Sequence, residues 1–166
     1  MKSIGLVLGS RSDLPTAQKA IDTLKELDIP FDVQILSAHR TPGDTAEYAR
    51  SARGRGLAAV IAFAGMAAHL AGAIAANTTL PVIGVPCSGP HFDGMDALLA
   101  TVQMPTGIPV ATVAVGGGSN AALLAAEILA VDDLELAQRL VDLRTSMAEQ
   151  IQSQNRELQE QLRAGR

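Results

Sequence analysis

Aromatic side chains are nearly absent from this chain: three Phe, one Tyr and no Trp make up 2% of its 166 residues. Platforms on which nucleobases or a flavin ring could stack are therefore scarce. An excess of positive charge is missing as well. The formal net charge is -4, and such a surface repels a phosphodiester backbone, so nucleic acid is not expected as a partner. The single cysteine, Cys87, has no intrachain partner for a disulfide. A reducing compartment is the expectation, with Cys87 as a small buried hydrophobe. No apolar run approaches about 18 uninterrupted residues, and from Met1 and Lys2 the chain passes straight into a strand pattern without a basic, then apolar, then small-residue leader. A cytoplasmic protein with no membrane contact is expected. His39, His69, His91 and Cys87 are scattered without the spacing of metal ligands, so no metal is expected.

What is present is a small and aliphatic composition, 48% hydrophobic and 18% charged, enough for one globular domain of this length. Apolar runs at Ile4 to Leu8, Asp32 to Leu36, Ala58 to Ala64, Pro81 to Val85 and Val110 to Val115 alternate with helical patterns. The helices are expected over Asp13 to Leu27, Pro42 to Arg55, Ala68 to Ala76, Gly94 to Gln103 and Asn120 to Ala130. Stripes such as Ala17, Ala20, Ile21, Leu24 and Leu27 should face a sheet. Strands that alternate with helices argue an α/β fold, a parallel five-stranded sheet covered on both faces, over residues 1–131. By analogy with open doubly wound folds, a strand order 2-1-3-4-5 would bring the loops after the first three strands to one edge. From Asp132 to Arg163 the pattern is helical throughout. Thirty-odd residues extend on the order of 45 Å, more than a domain of this size spans. The segment 132–166 is thus expected as a helical extension of the same domain that reaches a second subunit, with a frayed, solvated tail as the alternative because Gln150 to Gln161 is mostly polar.

Two polar loops follow the first two strands. Gly9, Ser10, Arg11, Ser12 and Asp13 offer hydroxyls, a carboxylate and backbone donors at a helix start, where a phosphate is favoured. Ser10 suits the phosphate and Asp13 the hydroxyls of a ribose 5'-phosphate; simple capping by Ser12 or Asp13 is the alternative. Ser37, Ala38, His39, Arg40, Thr41 and Pro42 set an acid/base group beside a fixed cation, with Thr41 expected as N-cap and Pro42 as first helical residue. His39 can exchange a proton near neutrality, and Arg40 suits a phosphate or carboxylate; a structural role for His39 is the rival reading. After the third strand, the small run Gly65 to Gly72 leaves room for close approach, and His69 either lines the same pocket or caps its own helix. Gly89 to Gly94, with His91, is a surface loop or a lid. Gly116 to Ala121 fits a dinucleotide fingerprint in letters only, because no further strand with an acidic end follows, and a sharp turn into a capped helix is preferred.

These residues resemble the class I N5-carboxyaminoimidazole ribonucleotide mutases of bacterial purine biosynthesis. The resemblance runs from Ile4 to Ala130 and rests on Gly9 to Asp13, Ser37 to Pro42, Ala67 to Leu70, Val102 to Pro109 and Asn120 to Ala126. Arg40 after the histidine, where class II carboxylases usually carry Lys, brings the chain nearer class I. The resemblance implies a three-layer, flavodoxin-like α/β/α domain in a homo-octamer with sites between subunits, a ribonucleotide substrate, and no organic cofactor or metal. It implies His39 as the general acid/base. Ser10, Asp13 and Arg40 would bind substrate, with Ser12, Ser37, Ala38 and Gly65 close by, and His69 and Leu70 would form the wall of the carboxylate pocket. Met66 and Ala71 stand where that family commonly has Gly and Pro. The loop Gly116 to Ser119 is shorter than in many members and lacks a lysine often found there. The competing readings are a carboxylase of the same fold that uses free CO2, a non-enzymatic nucleotide or flavin carrier, and a scaffold assembled through the carboxyl-terminal helix.

Overall fold

The computed structural model describes residues 2–165, so Met1 and Arg166, the outer ends of the two expected segments, lie outside the described residues. Strands β1 (Ser3–Leu8), β2 (Phe31–Ile35), β3 (Leu57–Gly65), β4 (Val82–Cys87) and β5 (Ala111–Thr112) form one parallel sheet in the order β2-β1-β3-β4-β5. β1, β3 and β4 are buried along nearly their whole length, which is why they read as continuous aliphatic runs rather than as alternation.

Helices α1 (Leu14–Glu26), α5 (Gly118–Ala130) and α6 (Leu134–Ala164) lie on one side, and α2 (Pro42–Ser51), α3 (Leu70–Ala75) and α4 (Met95–Val102) on the other. Residues of opposite parity on the strands feed the two layers. Ile4, Leu6, Leu8, Ile61, Phe63, Ile83 and Val85 pack with Ala17, Ala20, Leu24, Ala121 and Ala125. Val7, Val60 and Ala62 pack with Ala49, Leu70 and Ile74. The parallel sheet covered on both faces is what the alternation of patterns predicts, and the three-layer, flavodoxin-like arrangement is the one the resemblance implies.

Small residues set distances within and between layers. A Cβ on Gly118 would strike the Thr16 carbonyl, so α5 lies directly against α1, and Gly116 holds a φ of +71°. The glycine triplet thus serves a turn and a helix contact. Its helix begins at Gly118, two residues before the expected start, with no side-chain cap. On the other face Gly5 leaves room for the Tyr48 hydroxyl, which donates 2.7 Å to Asp32 Oδ1. Arg55 Nη1 donates 2.8 Å to Asp32 Oδ2, and its guanidinium carbon stands 4.2 Å from the centre of the Tyr48 ring.

Three further boundaries differ from expectation. β5 keeps only two paired residues, and as the edge strand it pairs with β4 alone. Beyond it Val113 N–H still donates to Gly84 O and Gly116 N–H to Pro86 O, so the chain follows β4 irregularly. α2 stops at Ser51 rather than Arg55, since Gly54 and Gly56 interrupt the helix and Gly56 takes a φ of +86°. The six-residue α3 is shorter than its apolar pattern, with His69 at the N-cap position. In α6, Leu136 is buried and Leu140 and Leu143 pack on the core, whereas Val141, Met147, Ile151, Leu158 and Leu162 are exposed. No helix among the described residues is long and apolar enough to cross a membrane.

Candidate active site

Four strand ends, in the spatial order β2, β1, β3 and β4, deliver their following loops to one cleft of about 620 Å3, within the ordinary range for small-molecule sites. Ser37, Ala38, His39 and Arg40 come from β2, and Gly9, Ser10, Ser12 and Asp13 from β1. Ala64 to Ala67, His69 and Leu70 come from β3, and Ser88, Gly89 and Pro90 from β4.

The β2 loop is closed on itself. Thr41 is the N-cap residue of α2 but makes no capping bond. Its Oγ1 instead accepts 3.0 Å from Ser37 N–H and donates 3.1 Å to Ser37 O. Ser37 Oγ accepts 3.1 Å from Arg40 N–H, and Thr41 N–H donates 2.8 Å to Ser37 O. These local bonds fix the turn that bears His39 and Arg40, which the expected cap would not have done. Both of those side chains are exposed to the cleft's solvent.

The β1 loop is a capping box. Ser10 Oγ accepts 3.3 Å from Ser12 N–H, and Asp13 Oδ2 accepts 2.9 Å from Ser10 N–H, closing a short 3-10 turn Arg11–Asp13 before α1. Capping and a place in the cleft therefore coexist. Asp13 is only 7% exposed, and burial raises its pKa against the opposing pull of the Ser10 N–H, the Cys87 thiol and the Gly9 N–H. Cys87, also buried, is pushed up to about 12, first by burial and then by the Asp13 charge. Arg40 Nη2 reaches toward Gly9 O at 3.5 Å, so the guanidinium leans over the β1 loop.

The histidines meet across that loop. β2 and β3 flank β1 on opposite sides, which separates their axes by roughly 10 Å, yet the rings of His39 and His69 are 5.3 Å apart, centre to centre, with a 36° tilt. His69 makes no cap bond to its own helix; it faces His39. Among the lining residues Arg40 is the one fixed cation and Asp13 the one carboxylate. The remainder is small backbone-rich wall and hydroxyls. Such a site suits an anionic, hydroxylated ligand of moderate size with an acid/base group in reach.

Every residue singled out in the sequence for catalysis or substrate binding thus lines one cleft. Ser88, Gly89, Pro90 and Met66 line it too; Gly89 and Pro90 open the loop read from the sequence as a surface loop or a lid, and Ser88 carried no signal of its own. His91 and Phe92 are exposed and outside the lining, so only the start of the Gly89 to Gly94 loop borders the cleft. A larger concavity of about 790 Å3 beside α2 contains two arginines already engaged, Arg50 with Glu47 and Asn77 and Arg53 with Thr79. Among the described residues no group of three or more His, Cys, Asp or Glu is arranged to hold a metal ion.

A doubly wound sheet with a polar cleft at the carboxyl ends of β1 to β4 defines a flavodoxin-like protein, with the cleft where such folds place their ligand sites. Residues 3–150 match the model of the AIR carboxylase family, and the chain belongs to that family. It is 52% identical over 143 residues to the N5-carboxyaminoimidazole ribonucleotide mutase of Bacillus subtilis, covering 85% of this chain and 88% of that one. The mutase of the same name from Mycobacterium leprae is 48% identical over 156 residues, 94% of this chain and 91% of the relative. A crystal structure of Treponema denticola PurE superimposes with a TM-score of 0.81 at 29% identity, covering 93% of this chain and 97% of that one.

Proposed function

We propose that this chain isomerises N5-carboxyaminoimidazole ribonucleotide to 4-carboxy-5-aminoimidazole ribonucleotide in purine biosynthesis. The observation that carries this reading is one cleft in which His39 and Arg40 meet the Ser10 to Asp13 loop and His69. Support comes also from the mutase relatives at about half identity and from Arg40 beside His39, the pattern of class I.

In this reading Ser10, Ser12 and the β1 loop take the 5'-phosphate, Asp13 the sugar hydroxyls, and Arg40 and Ser37 anionic oxygens. His39, as imidazolium, gives a proton to the carbamate nitrogen; the nitrogen–carboxyl bond breaks and CO2 is released within the cleft. The electron-rich ring carbon adjacent to the one that bears this nitrogen attacks the CO2 and forms the new carbon–carbon bond. The hydrogen displaced from that carbon returns to His39 as a proton. Substrate and product contain the same atoms, and the imidazole ends as it began. Ala38, Gly65, His69 and Leu70 wall the space in which CO2 waits, without a metal or organic cofactor.

The setting proposed is a cytoplasmic homo-octamer with sites between subunits. Exposed Val33 and Ile35 on β2, and Phe92, Met95, Leu99 and Val102 at and before α4, support assembly on the faces that flank the cleft. Isotope tracing separates this reading from a carboxylase of the same fold. Carbon-13 in the substrate carbamate is expected to remain in the product when unlabelled bicarbonate is in excess. Dilution of the label in the wild type would overturn the mutase in favour of free CO2 as substrate.

A further inference from the structure

Met66 pairs a costly backbone with an open side chain. Its φ is +54°, a left-handed conformation that strains any residue with a Cβ, and it is 55% exposed, so buried contacts do not offset the strain. Glycine would hold this backbone freely, and glycine is what the resembling family commonly has here. The chemistry of the cleft therefore asks for no side chain at this position. What this chain adds there is a thioether.

A Cβ on Gly89 would stand 3.6 Å from Met66 Cγ, so the side chain lies against the β4 loop, and both residues line the cleft. Met66 O accepts 2.8 Å from Ala68 N–H, and Ala67 O accepts 2.8 Å from His69 N–H. This tight turn ties Met66 to His69, whose ring faces His39. Other sulfurs stand elsewhere. Met95 and Met147 are exposed but lie outside the lining, and Met104 packs toward Gly72. Cys87 is buried and held as the unreactive thiol. Among the described residues Met66 is thus the one exposed sulfur that borders the cleft.

We propose that Met66 is a reversible oxidation site through which hydroperoxides slow this enzyme. The step transfers one oxygen atom: a sulfur–oxygen bond forms as the peroxide oxygen–oxygen bond breaks, the thioether is oxidised by an electron pair, and hydrogen peroxide is reduced and leaves as water. The unmodified side chain is apolar, turns about three bonds and moves aside for a ligand. The sulfoxide carries a strong acceptor and its hydration on the loop that bears His69. There it crowds the ligand and competes for the N–H groups of the imidazoles. The inference rests on the mutase reading.

The test exposes the full chain to hydrogen peroxide, maps added oxygen by peptide mass and follows turnover of N5-carboxyaminoimidazole ribonucleotide. In the wild type, turnover is expected to fall at least about tenfold as Met66 takes up one oxygen. Methionine sulfoxide reductases for both epimers are expected to restore it. Met66→Leu keeps an apolar side chain without the sulfur, so its treated and untreated rates should agree. Met95→Leu and Met147→Leu should lose turnover on treatment as the wild type does. Four results would each overturn the switch alone: unchanged turnover with Met66 fully oxidised, a Met66 that resists peroxide while Met95 and Met147 are oxidised, a loss that the reductases leave in place, or inactivation of Met66→Leu at the wild-type rate. Absence of turnover in the untreated wild type would overturn the mutase reading and the switch with it.

Discussion

The thiol of Cys87 gives a quantitative test of the packing behind the β1 loop. It is 4% exposed and pushed up to about 12 by burial first and by the Asp13 charge second, with Thr16 pulling the other way. At pH 8 an ordinary thiol is about one quarter thiolate, whereas one titrating near 12 holds about one part in ten thousand. The thiolate population thus falls by about three orders of magnitude. A more basic thiolate is also a better nucleophile, which returns about one and a half orders. The net expectation is modification about 30-fold to 100-fold slower than in the unfolded chain from ionisation alone, and slower still once burial limits access. Ellman's reagent at pH 8, with and without denaturant, reads this ratio directly. Asp13→Asn removes the second cause and should speed the reaction several-fold without reaching the unfolded rate. A native rate within tenfold of the denatured one, or an Asp13→Asn rate equal to wild type, would refute the buried pairing of these two groups.

Tyr48→Phe removes the 2.7 Å bond to Asp32 while Arg55 still holds that carboxylate, so chemical denaturation should show a loss of about 1–2 kcal/mol. Burial and Asp32 raise the Tyr48 pKa, so its contribution is complete below about pH 10 and drains as pH rises beyond it; the Phe variant should lose that alkaline limb. Asp13 likewise titrates above its ordinary value. The stability linked to its protonated form is complete below the unfolded value near 4 and is lost as pH rises through the folded value. Asp13→Asn, whose amide oxygen can still accept from Ser10 N–H, should flatten this slope in denaturant titrations across mildly acidic pH.

The fold was legible wherever pattern and burial agree. Ile4 to Leu8 and Ala58 to Ala64 are aliphatic on both faces because helices cover both, and that run is itself the signature of a central parallel strand. Where an edge intervened the pattern misled: Val110 to Val115 is apolar enough for a strand, but ladder pairing depends on neighbours and donors that composition does not display. The cleft's membership was legible because loops after parallel strands share one edge. Its internal geometry was not. Thr41 fits a cap by type, yet its hydroxyl has a nearer partner in Ser37, a choice set by the turn's three-dimensional path. The approach of His39 to His69 spans two strand spacings and joins loops far apart in sequence, so no local period encodes it. Met66 carries no sequence signal of its left-handed backbone beyond standing where the resembling family commonly has glycine.

The central claim is that one imidazole carries the proton out and back. Its most direct test is Asn in place of His39, with turnover of N5-carboxyaminoimidazole ribonucleotide and ribonucleotide binding measured side by side on the same preparation. His39→Asn is expected to abolish turnover while binding stays within about tenfold, since the contacts proposed for the Ser10 loop and Arg40 are left in place. Substantial turnover by that variant would contradict it.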